Sequence, residues 1–361
     1  MRETDLQQRL GLALPIIQAP MAGVSTPALA AAVSNAGGLG SIAVATLSAA
    51  AARAAIGAVR AATARPFNVN VFCHAPAVAD ARREAAWLAA LAPTFAALGA
   101  VAPARLVAPY RSFVEDDELL AVLLAERPPV VSVHFGLPRP AQLAALRQAG
   151  IVLLASATNA REASAAQAAG VDAVIAQGYE AGGHRGMFDP AVPDEQLGTL
   201  ALVRILASRL TVPVIAAGGI MDGAGIAAAL RLGASAAQLG TAFVACPESS
   251  ADAAHRAALL DGEARTVMTA ALSGRPARCL VNRFTALQLP LATLPAYPIA
   301  YAAAKALQAA GHAAGQSGYG AQLAGQGAPL ARALPAAELV GVLGAELAAA
   351  ESEWSFGAVP H

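Results

Sequence analysis

Short apolar runs alternate with alanine-rich stretches along the first two thirds of the chain. The apolar runs are often β-branched and predict strands, and the stretches between them have the spacing of apolar residues that is typical of helices. The predicted strands lie at 15–20, 39–44, 67–73, 130–135, 151–156, 173–178, 213–218 and 236–241. The predicted helices lie at 26–36, 47–63, 77–99, 139–149, 160–169, 197–210, 223–232 and 250–260.

Eight strand–helix units predict an α/β fold. Uninterrupted apolar runs indicate parallel strands buried on both faces, and eight of them can close into a (β/α)8 or TIM barrel. The alternative is an open, doubly wound sheet. The count of eight, and the lack of an early GxGxxG sequence, favour the barrel.

Two segments fall outside this alternation. Residues 100–129 lie between the third and fourth strands, and a tail follows the eighth unit. In the tail, 296–311 and 336–353 are predicted helices, but it has too few elements for a core of its own. We therefore expect a barrel over residues 1–261 and a helical extension over residues 262–361 that packs on the barrel.

Composition and charge exclude several classes of protein. The chain is 57% hydrophobic with a mean hydropathy of +0.53, but its longest uncharged stretch is broken by Pro15, Pro20 and Pro27, so no membrane span is expected. The amino terminus lacks the apolar core of a signal peptide. Net charge is zero without basic runs, which argues against a nucleic-acid partner.

Cysteine and histidine spacing narrows the cellular context. Cys73, Cys246 and Cys279 are odd in number and far apart, which predicts reduced thiols in a cytoplasmic protein. The histidines form no HxH or HExxH pattern and there is no CxxC, so we expect no metal site.

Two glycine-containing strand ends predict a phosphate site. Barrels often bind phosphate in the loops after strands seven and eight, beside a helix amino terminus. Gly218, Gly219, Gly240 and Thr241 occupy those loops, where backbone N–H groups and a hydroxyl could bind the phosphate oxygens. The alternative is that these glycines only form tight turns.

The loop after strand six is the next candidate. Gly182 and Gly183 could lay the backbone against a flat ring, and His184 could project its imidazole over that ring. Histidine suits proton transfer near neutral pH. The alternative is a surface loop with a solvated His184–Arg185 pair.

His74 and His134 lie at or just past strand ends and could be functional, but core histidines bonded to backbone carbonyls are the simpler interpretation. Cys73 and His74 are adjacent on a strand and point to opposite faces, which excludes a thiolate–imidazole pair.

In the tail, Tyr297, Tyr301 and Lys305 recur every fourth residue and form one helical stripe. The stripe could bind a small carboxylate, although two packing tyrosines and a solvated lysine are the simpler interpretation.

Several long stretches, taken in order, carry a family resemblance. They are QAPMAGVSTPALAAAVSNAGGLG (18–40), NVFCHAP (70–76), HFGLP (134–138), QGYEAGGHRG (177–186), AAGGIMDGAGIAAALRLGASAAQLGTAF (216–243), YPIAYAAAK (297–305) and AGQG (324–327). Together they cover nearly the whole chain. The sequence resembles the class I nitronate monooxygenases, formerly called 2-nitropropane dioxygenases.

The resemblance implies a TIM barrel with non-covalent FMN and no metal. It implies oxidation of alkyl nitronates, notably propionate 3-nitronate, with O2 to an oxo acid plus nitrite or nitrate. It makes His184 the catalytic residue. The expected cofactor contacts are Ala19, Pro20, Met21, Asn70, Gln177, Gly182, Gly183, Gly218, Gly219, Gln238, Leu239, Gly240 and Thr241. The expected substrate contacts are Tyr110, His134, Tyr297, Tyr301 and Lys305.

Other readings stay open. Leu323 stands where the family often has a tryptophan, so the pocket could differ in shape there. FMN-dependent enoyl-acyl carrier protein reductases and NADH:quinone reductases share this barrel and parts of these motifs. A flavin- or phosphate-binding barrel without turnover is a third possibility. The expected partners are a small anionic nitro compound and O2, with the protein as a monomer or homodimer.

Overall fold

Eight parallel strands form a closed barrel in the computed structural model, which describes residues 5–356. The strands of the chain are β1 (Ile16–Gln18), β2 (Gly40–Ala43), β3 (Phe67–Phe72), β4 (Val130–His134), β5 (Val152–Ala157), β6 (Ala173–Gln177), β7 (Gly183–His184), β8 (Val214–Ala217), β9 (Ala236–Leu239), β10 (Thr266–Thr269) and β11 (Ala277–Leu280). The barrel order is β1-β9-β8-β6-β5-β4-β3-β2. Leu39 N donates to Ile16 O, and Gln18 N to Leu39 O, both at 2.9 Å, which closes the ring. The predicted barrel and its eight strands are confirmed.

Helices cover the outside of the barrel. They are α1 (Asp5–Leu10), α2 (Pro27–Asn35), α3 (Ala49–Ala62), α4 (Ala81–Ala97), α5 (Asp117–Glu126), α6 (Pro140–Gln148), α7 (Ala160–Ala168), α8 (Thr199–Ala207), α9 (Gly223–Arg231), α10 (Thr241–Val244), α11 (Ala253–Leu259), α12 (Ile299–Ala313) and α13 (Ala336–Phe356). Thr26, Ser48 and Asn159 each accept a backbone N–H in the first turn of the helix that follows, which explains where α2, α3 and α7 begin.

The interior of the barrel changes from apolar to polar towards the cavity. Leu154 and Ile215 belong to the apolar layer inside the barrel. Asn68 and Asn70 share one face of β3 because strand residues two apart point the same way. Their amides donate to Ser132 Oγ at 2.9 and 3.0 Å. This layer places amide and hydroxyl groups below the carboxyl ends of the strands.

The tail contains a small sheet as well as the predicted helices. α12 packs on α4, and α13 packs on α2 and α9. β10 and β11 form an antiparallel hairpin, and β11 also pairs with β7. The sequence did not predict this hairpin. Its strands have four residues each and β10 is partly exposed, so no apolar periodicity marks them.

Residues 5–356 contain neither a membrane-spanning helix nor a cluster of metal ligands. None of the helices in residues 5–356 has the length and apolar character needed to cross a membrane. Over the same range, His, Cys, Asp and Glu side chains form no group of three or more that could hold a metal ion. Cys73, Cys246 and Cys279 are buried free thiols. Burial raises the pKa of Cys246 and of Cys279 to about 12, so both stay protonated.

Candidate active site

A large cavity opens at the carboxyl ends of the barrel strands and, with its mouth, encloses about 1310 Å³. This is the edge at which barrel enzymes place their chemistry. The predicted residues that line it are Ala19, Pro20, Met21, Asn70, Tyr110, His134, Gln177, Gly182, Gly183, His184, Gly218, Gly219, Gln238, Gly240, Thr241 and Tyr301. Phe72, Phe135 and Met221 also line the cavity, although the sequence analysis did not single them out.

Three predicted residues lie behind the lining. Leu239 packs in the core with Ile16 and Phe243, because its neighbour Gln238 faces the cavity and strand residues alternate. Tyr297 is buried, and its ring centroid lies 5.5 Å from that of His184. Lys305 is exposed on α12. The structure thus brings Tyr297 and Lys305 near the site without placing them in the wall.

The two glycine loops lie at adjacent strand ends, since β8 and β9 are neighbours. Gly218 and Gly219 have φ values of +128° and +71°, a backbone conformation that favours glycine. α10 begins at Thr241 and is the short extra helix that contributes to phosphate sites in many barrels. Thr241 Oγ1 accepts a hydrogen bond from Gly325 N at 2.8 Å, so its own proton can be donated into the cavity.

The amino terminus of α9 is closed to a phosphate. Asp222 Oδ1 accepts from Gly225 N at 2.8 Å, and Glu346 Oε2 accepts from Gly223 N at 2.9 Å. Two carboxylates therefore already occupy this helix end. A phosphate in the cavity would therefore not be bound by this helix end.

Two features of the cavity wall are an unpaired side-chain oxygen and a close backbone contact. Gln238 lines it, yet Gln238 Oε1 is buried and has no hydrogen-bond partner within residues 5–356. Buried polar atoms are almost always satisfied, so a donor from a ligand is the natural partner. At Gly182 a Cβ atom would lie 2.5 Å from Gly325 N, so the backbone is tightly fitted there.

His184 is fixed by its backbone and by its ring. Gln177 Nε2 and His134 Nε2 both donate to His184 O, at 2.9 and 3.2 Å. On the ring, Nε2 lies 2.7 Å from Ser273 Oγ of the β10–β11 hairpin. Gly183 precedes it with a φ of +78°, which turns the chain so that β7 can pair with β11. The imidazole is therefore held in one orientation at the cavity.

The two cavity histidines are electrically neutral. Burial lowers the pKa of His184 to about 3, with smaller contributions from His134 and Arg275. Burial also lowers the pKa of His134 to about 4, although its hydrogen bond to His184 O opposes the shift. A bound anion would favour the charged form of either ring and raise its pKa.

A buried cation that sequence reasoning missed lies behind the histidines. Arg275 is 3% exposed and donates to Met187 O at 2.7 Å. Its guanidinium carbon lies 4.7 Å from the Phe135 ring centroid and 5.5 Å from that of Tyr297. Arg275 stands in the hairpin turn, and no sequence pattern linked that turn to the site. Its charge makes the cavity more favourable for an anion.

Arg185 is structural and not solvated. It is 1% exposed, and its guanidinium binds Asp194 through Nε at 2.7 Å and Nη2 at 3.0 Å. Nη1 donates to Gln177 O at 2.9 Å. The solvated His184–Arg185 pair is therefore wrong, because Asp194 and strand carbonyls bury the arginine. The backbone N–H of its neighbour Gly186 donates to Gln177 Oε1 at 2.7 Å. Gln177, a predicted cofactor contact, therefore also anchors this loop.

The segment between β3 and β4 reaches the cavity through Tyr110. Its hydroxyl lies 2.9 Å from that of Tyr297, so two tyrosines from distant parts of the chain are joined. Lys305 Nζ lies 5.1 Å from the Tyr301 ring centroid and 6.0 Å from that of Tyr110. Lys305 is the only lysine in the chain. Its ammonium is the cation beside these two phenols.

His74 behaves as the core histidine that the sequence left possible. It is 2% exposed, and Nδ1 lies 2.9 Å from Ala75 O. Its ring packs edge-on against Tyr297, with the centroids 4.9 Å apart. Burial raises the pKa of Cys73 far above its usual range, which agrees with the exclusion of a thiolate pair. His74 therefore supports Tyr297 from behind.

The fold and cavity define a (β/α)8-barrel enzyme with its chemistry at the carboxyl ends of the strands. A family model described as nitronate monooxygenase matches residues 3–346. A nitronate monooxygenase from Paraburkholderia phytofirmans is 63% identical over 342 residues, which are 94% of this chain and 93% of that relative. The chain belongs to the nitronate monooxygenase family and is an oxidoreductase, as the sequence predicted.

Two solved structures share this fold, and they differ in how similar they are to the chain. Nitroalkane oxidase from Streptomyces ansochromogenes is 44% identical, with a TM-score of 0.88 over 97% of this chain and 100% of that one. FabK from Thermotoga maritima is 28% identical, with a TM-score of 0.74 over 99% of both chains. The chain is thus more similar to the nitroalkane oxidase in both sequence and structure.

Proposed function

We propose that this enzyme binds FMN and oxidises a small anionic nitronate, with propionate 3-nitronate as the best candidate, using O2. The observation that carries the proposal is that one cavity combines two kinds of lining. Glycine loops suited to a single phosphate and a neutral histidine both line it, and a buried arginine packs on the lining residue Phe135. When bound, FMN would supply a flat oxidant for the electron-rich carbon of the nitronate.

The phosphate end would be formed by Gly218, Gly219, Gly240 and Thr241. Backbone N–H groups approach closely where no side chain intervenes, and the Thr241 hydroxyl adds a donor. Leu239 would contribute only backbone. A single phosphate fits this pair of loops better than a dinucleotide, because the second helix end, at α9, is closed by Asp222 and Glu346.

The ring of the flavin would be bound by amide and backbone groups. Asn70, Gln177 and Gln238 line the cavity, and Gln238 Oε1 lacks a partner in residues 5–356, so it would accept from a ring N–H. Gly182 and Gly183 would lie against the ring plane. Ala19, Pro20 and Met21 would close the opposite side of the cofactor cavity.

His184 and His134 would bind the nitro group. For a nitronate, which has already lost its α-proton, His184 takes no proton and its neutral ring lies beside the nitro group. For a neutral nitroalkane, His184 takes the α-proton, and the electron pair of the broken C–H bond stays on the resulting nitronate. The Arg275 charge favours the anion in both cases.

The carboxylate of the substrate would extend to the outer part of the cavity. Tyr110 and Tyr301 line this part, with Tyr297 bonded behind Tyr110. Lys305 would supply the counter-charge. Under this proposal residues 262–361 are an extension that completes the substrate end of the barrel 1–261. We also propose a cytoplasmic enzyme, a monomer or homodimer, with no nucleic-acid or membrane partner.

The proposal is tested by the composition and turnover of the purified protein. It should carry one FMN and no FAD after release by heat and chromatography, and it should consume O2 with propionate 3-nitronate. A protein that takes up no flavin on titration would contradict the cofactor assignment. A flavin-loaded protein that does not turn over the nitronate would contradict the substrate assignment.

A further inference from the structure

The β10–β11 hairpin brings one hydroxyl against the imidazole of His184. Ser273 lies in the turn, is fully buried at 0% exposure, and its Oγ lies 2.7 Å from His184 Nε2. The contact is fixed by the backbone, because His184 pairs with Ala277 across β7 and β11. Since Ser273 occupies Nε2, the nitrogen left for a ligand in the cavity is Nδ1.

The Ser273 hydroxyl has a second possible acceptor besides His184, the backbone carbonyl of Arg275. Its Oγ lies 3.3 Å from Arg275 O, and Arg275 N lies 3.4 Å from the same oxygen. If the hydroxyl donates to Arg275 O, it accepts from Nε2–H, and Nδ1 of His184 carries a free lone pair. If it donates to Nε2 instead, Nδ1 carries the hydrogen and cannot act as a base.

We propose that Ser273 is a positioning residue that accepts the Nε2–H hydrogen bond of His184 and so presents Nδ1 as the base for neutral nitroalkanes. This inference rests on the proposed function. In the step, the substrate Cα–H bond breaks, its electron pair stays as the nitronate, and a new Nδ1–H bond forms. The hydrogen bonds from Nε2 to Ser273 Oγ, and from Ser273 to Arg275 O, then stabilise the imidazolium.

This chain of acceptors is needed because the surroundings disfavour a charged imidazole. Burial, His134 and Arg275 all lower the pKa of His184. A hydrogen bond to the charged form works in the other direction. The carbonyl of Arg275 ends this chain of hydrogen bonds and can only accept. When the ring is protonated, the Ser273 hydroxyl therefore donates to Arg275 O and accepts from Nε2–H.

The tautomer can be measured without turnover. In ligand-free protein labelled with ¹⁵N-histidine, His184 is assigned by comparison with His184→Asn. We expect the ring to be neutral, with hydrogen on Nε2 and none on Nδ1. A neutral ring with hydrogen on Nδ1 would overturn the proposal, whether or not the enzyme oxidises nitronates.

The kinetic test uses one substrate in two protonation states. Ser273→Ala should lower kcat for a neutral nitroalkane by about tenfold to a hundredfold, because a hydrogen bond to a charged group is lost. Turnover of the matching nitronate should change less than about threefold, since no proton is taken. Ser273→Thr, which keeps the hydroxyl, should restore most of the nitroalkane activity.

The control variant lies in the same hairpin. Thr269 Oγ1 accepts from Ala271 N at 3.1 Å and does not contact His184, so Thr269→Val should affect both substrate forms equally. Equal losses on both forms in Ser273→Ala would mean that the hydroxyl only supports the fold, and would overturn the proposal. If the wild-type enzyme oxidises neither form, the proposed function fails, and the tautomer measurement still decides the role of Ser273.

Discussion

The barrel and the tail contribute to one cavity by different means. The barrel supplies residues at regular positions, one or two at the carboxyl end of each strand, such as Asn70 on β3 and Gln177 on β6. The tail supplies residues from three separate places, namely the hairpin turn at Ser273, helix α12 at Tyr301 and the loop at Leu323. Under the proposed function, the regular frame would hold the cofactor, while the irregular connections would surround the reacting atoms.

The difference has a physical consequence. The expected cofactor contacts of the barrel are mainly backbone groups and amides, which retain their hydrogen-bonding character at any pH. The tail encloses His184 and adds Arg275, and both effects lower the pKa of the imidazole. Substitutions in the tail should therefore alter the catalytic rate more than they alter cofactor binding. Changes at the junction of the two regions should alter cofactor binding.

The largest effect is expected from His184→Asn. Asparagine keeps a hydrogen-bond donor of similar size but cannot take a proton. Positioned acid–base catalysis contributes roughly a hundredfold to ten-thousandfold, so turnover of a neutral nitroalkane should fall by that amount. A measurable part of the nitronate activity should remain, with normal FMN content. Unchanged nitroalkane turnover would move the base elsewhere, with His134 as the next candidate.

Gly182→Ala tests the junction between barrel and tail. Its new Cβ would lie 2.5 Å from Gly325 N, so the loop that carries the Thr241 contact has to move. Overpacking of this kind costs about 1–3 kcal/mol, and we expect FMN affinity to fall by roughly tenfold to a hundredfold. The matched control is Gly57→Ala on α3, where nothing lies within 4 Å. Wild-type FMN affinity in Gly182→Ala would show that the two regions are not coupled there.

Lys305→Met tests the outer end of the cavity. A charge-assisted contact is typically strong, but Lys305 is exposed and solvent screening weakens its effect. We expect KM for propionate 3-nitronate to rise by about tenfold, and KM for an uncharged alkyl nitronate to stay the same. Equal changes for both substrates would count against carboxylate recognition. Because the chain has no other lysine, amine-directed labelling with and without substrate gives an independent check.

The smallest effect concerns acid stability. The pKa values of His184 and His134 are about 3 and about 4 in the folded protein, below the ordinary value of 6.5. As pH falls from 6.5 towards 4, the unfolded chain binds these protons before the folded protein does, so stability should decrease. We expect Tm of the ligand-free protein to fall by a few degrees over this range. His134→Asn should make the fall shallower, and a slope identical to that of wild type would contradict the assignment.

The sequence was sufficient for the barrel and for most of the cavity wall. Parallel strands buried on both faces leave uninterrupted apolar runs, and the barrel rule then converts strand ends into site positions. Tyr110 was also expected at the site, although its segment has no strand pattern. The agreement therefore follows from the regular period of the strands and from the family resemblance.

The remaining residues depend on contacts that a local pattern does not carry. A solvated Arg185 was one of two possibilities in the sequence, and its contacts with Asp194 and the carbonyl of Gln177 explain why it is buried instead. Ser273 and Arg275 reach the site because β11 pairs with β7, which lies more than ninety residues earlier in the chain. Neither strand of that pair is long enough to show a period in the sequence.

The most direct measurement of the central claim is anaerobic mixing of the FMN-loaded protein with two reductants. The flavin absorbance is followed first with NADH and then with propionate 3-nitronate. If the tail has adapted the barrel to a nitronate, the nitronate should bleach the flavin rapidly and NADH should have little effect. Rapid bleaching by NADH with none by the nitronate would contradict this account and favour a nicotinamide-dependent reductase on the same barrel.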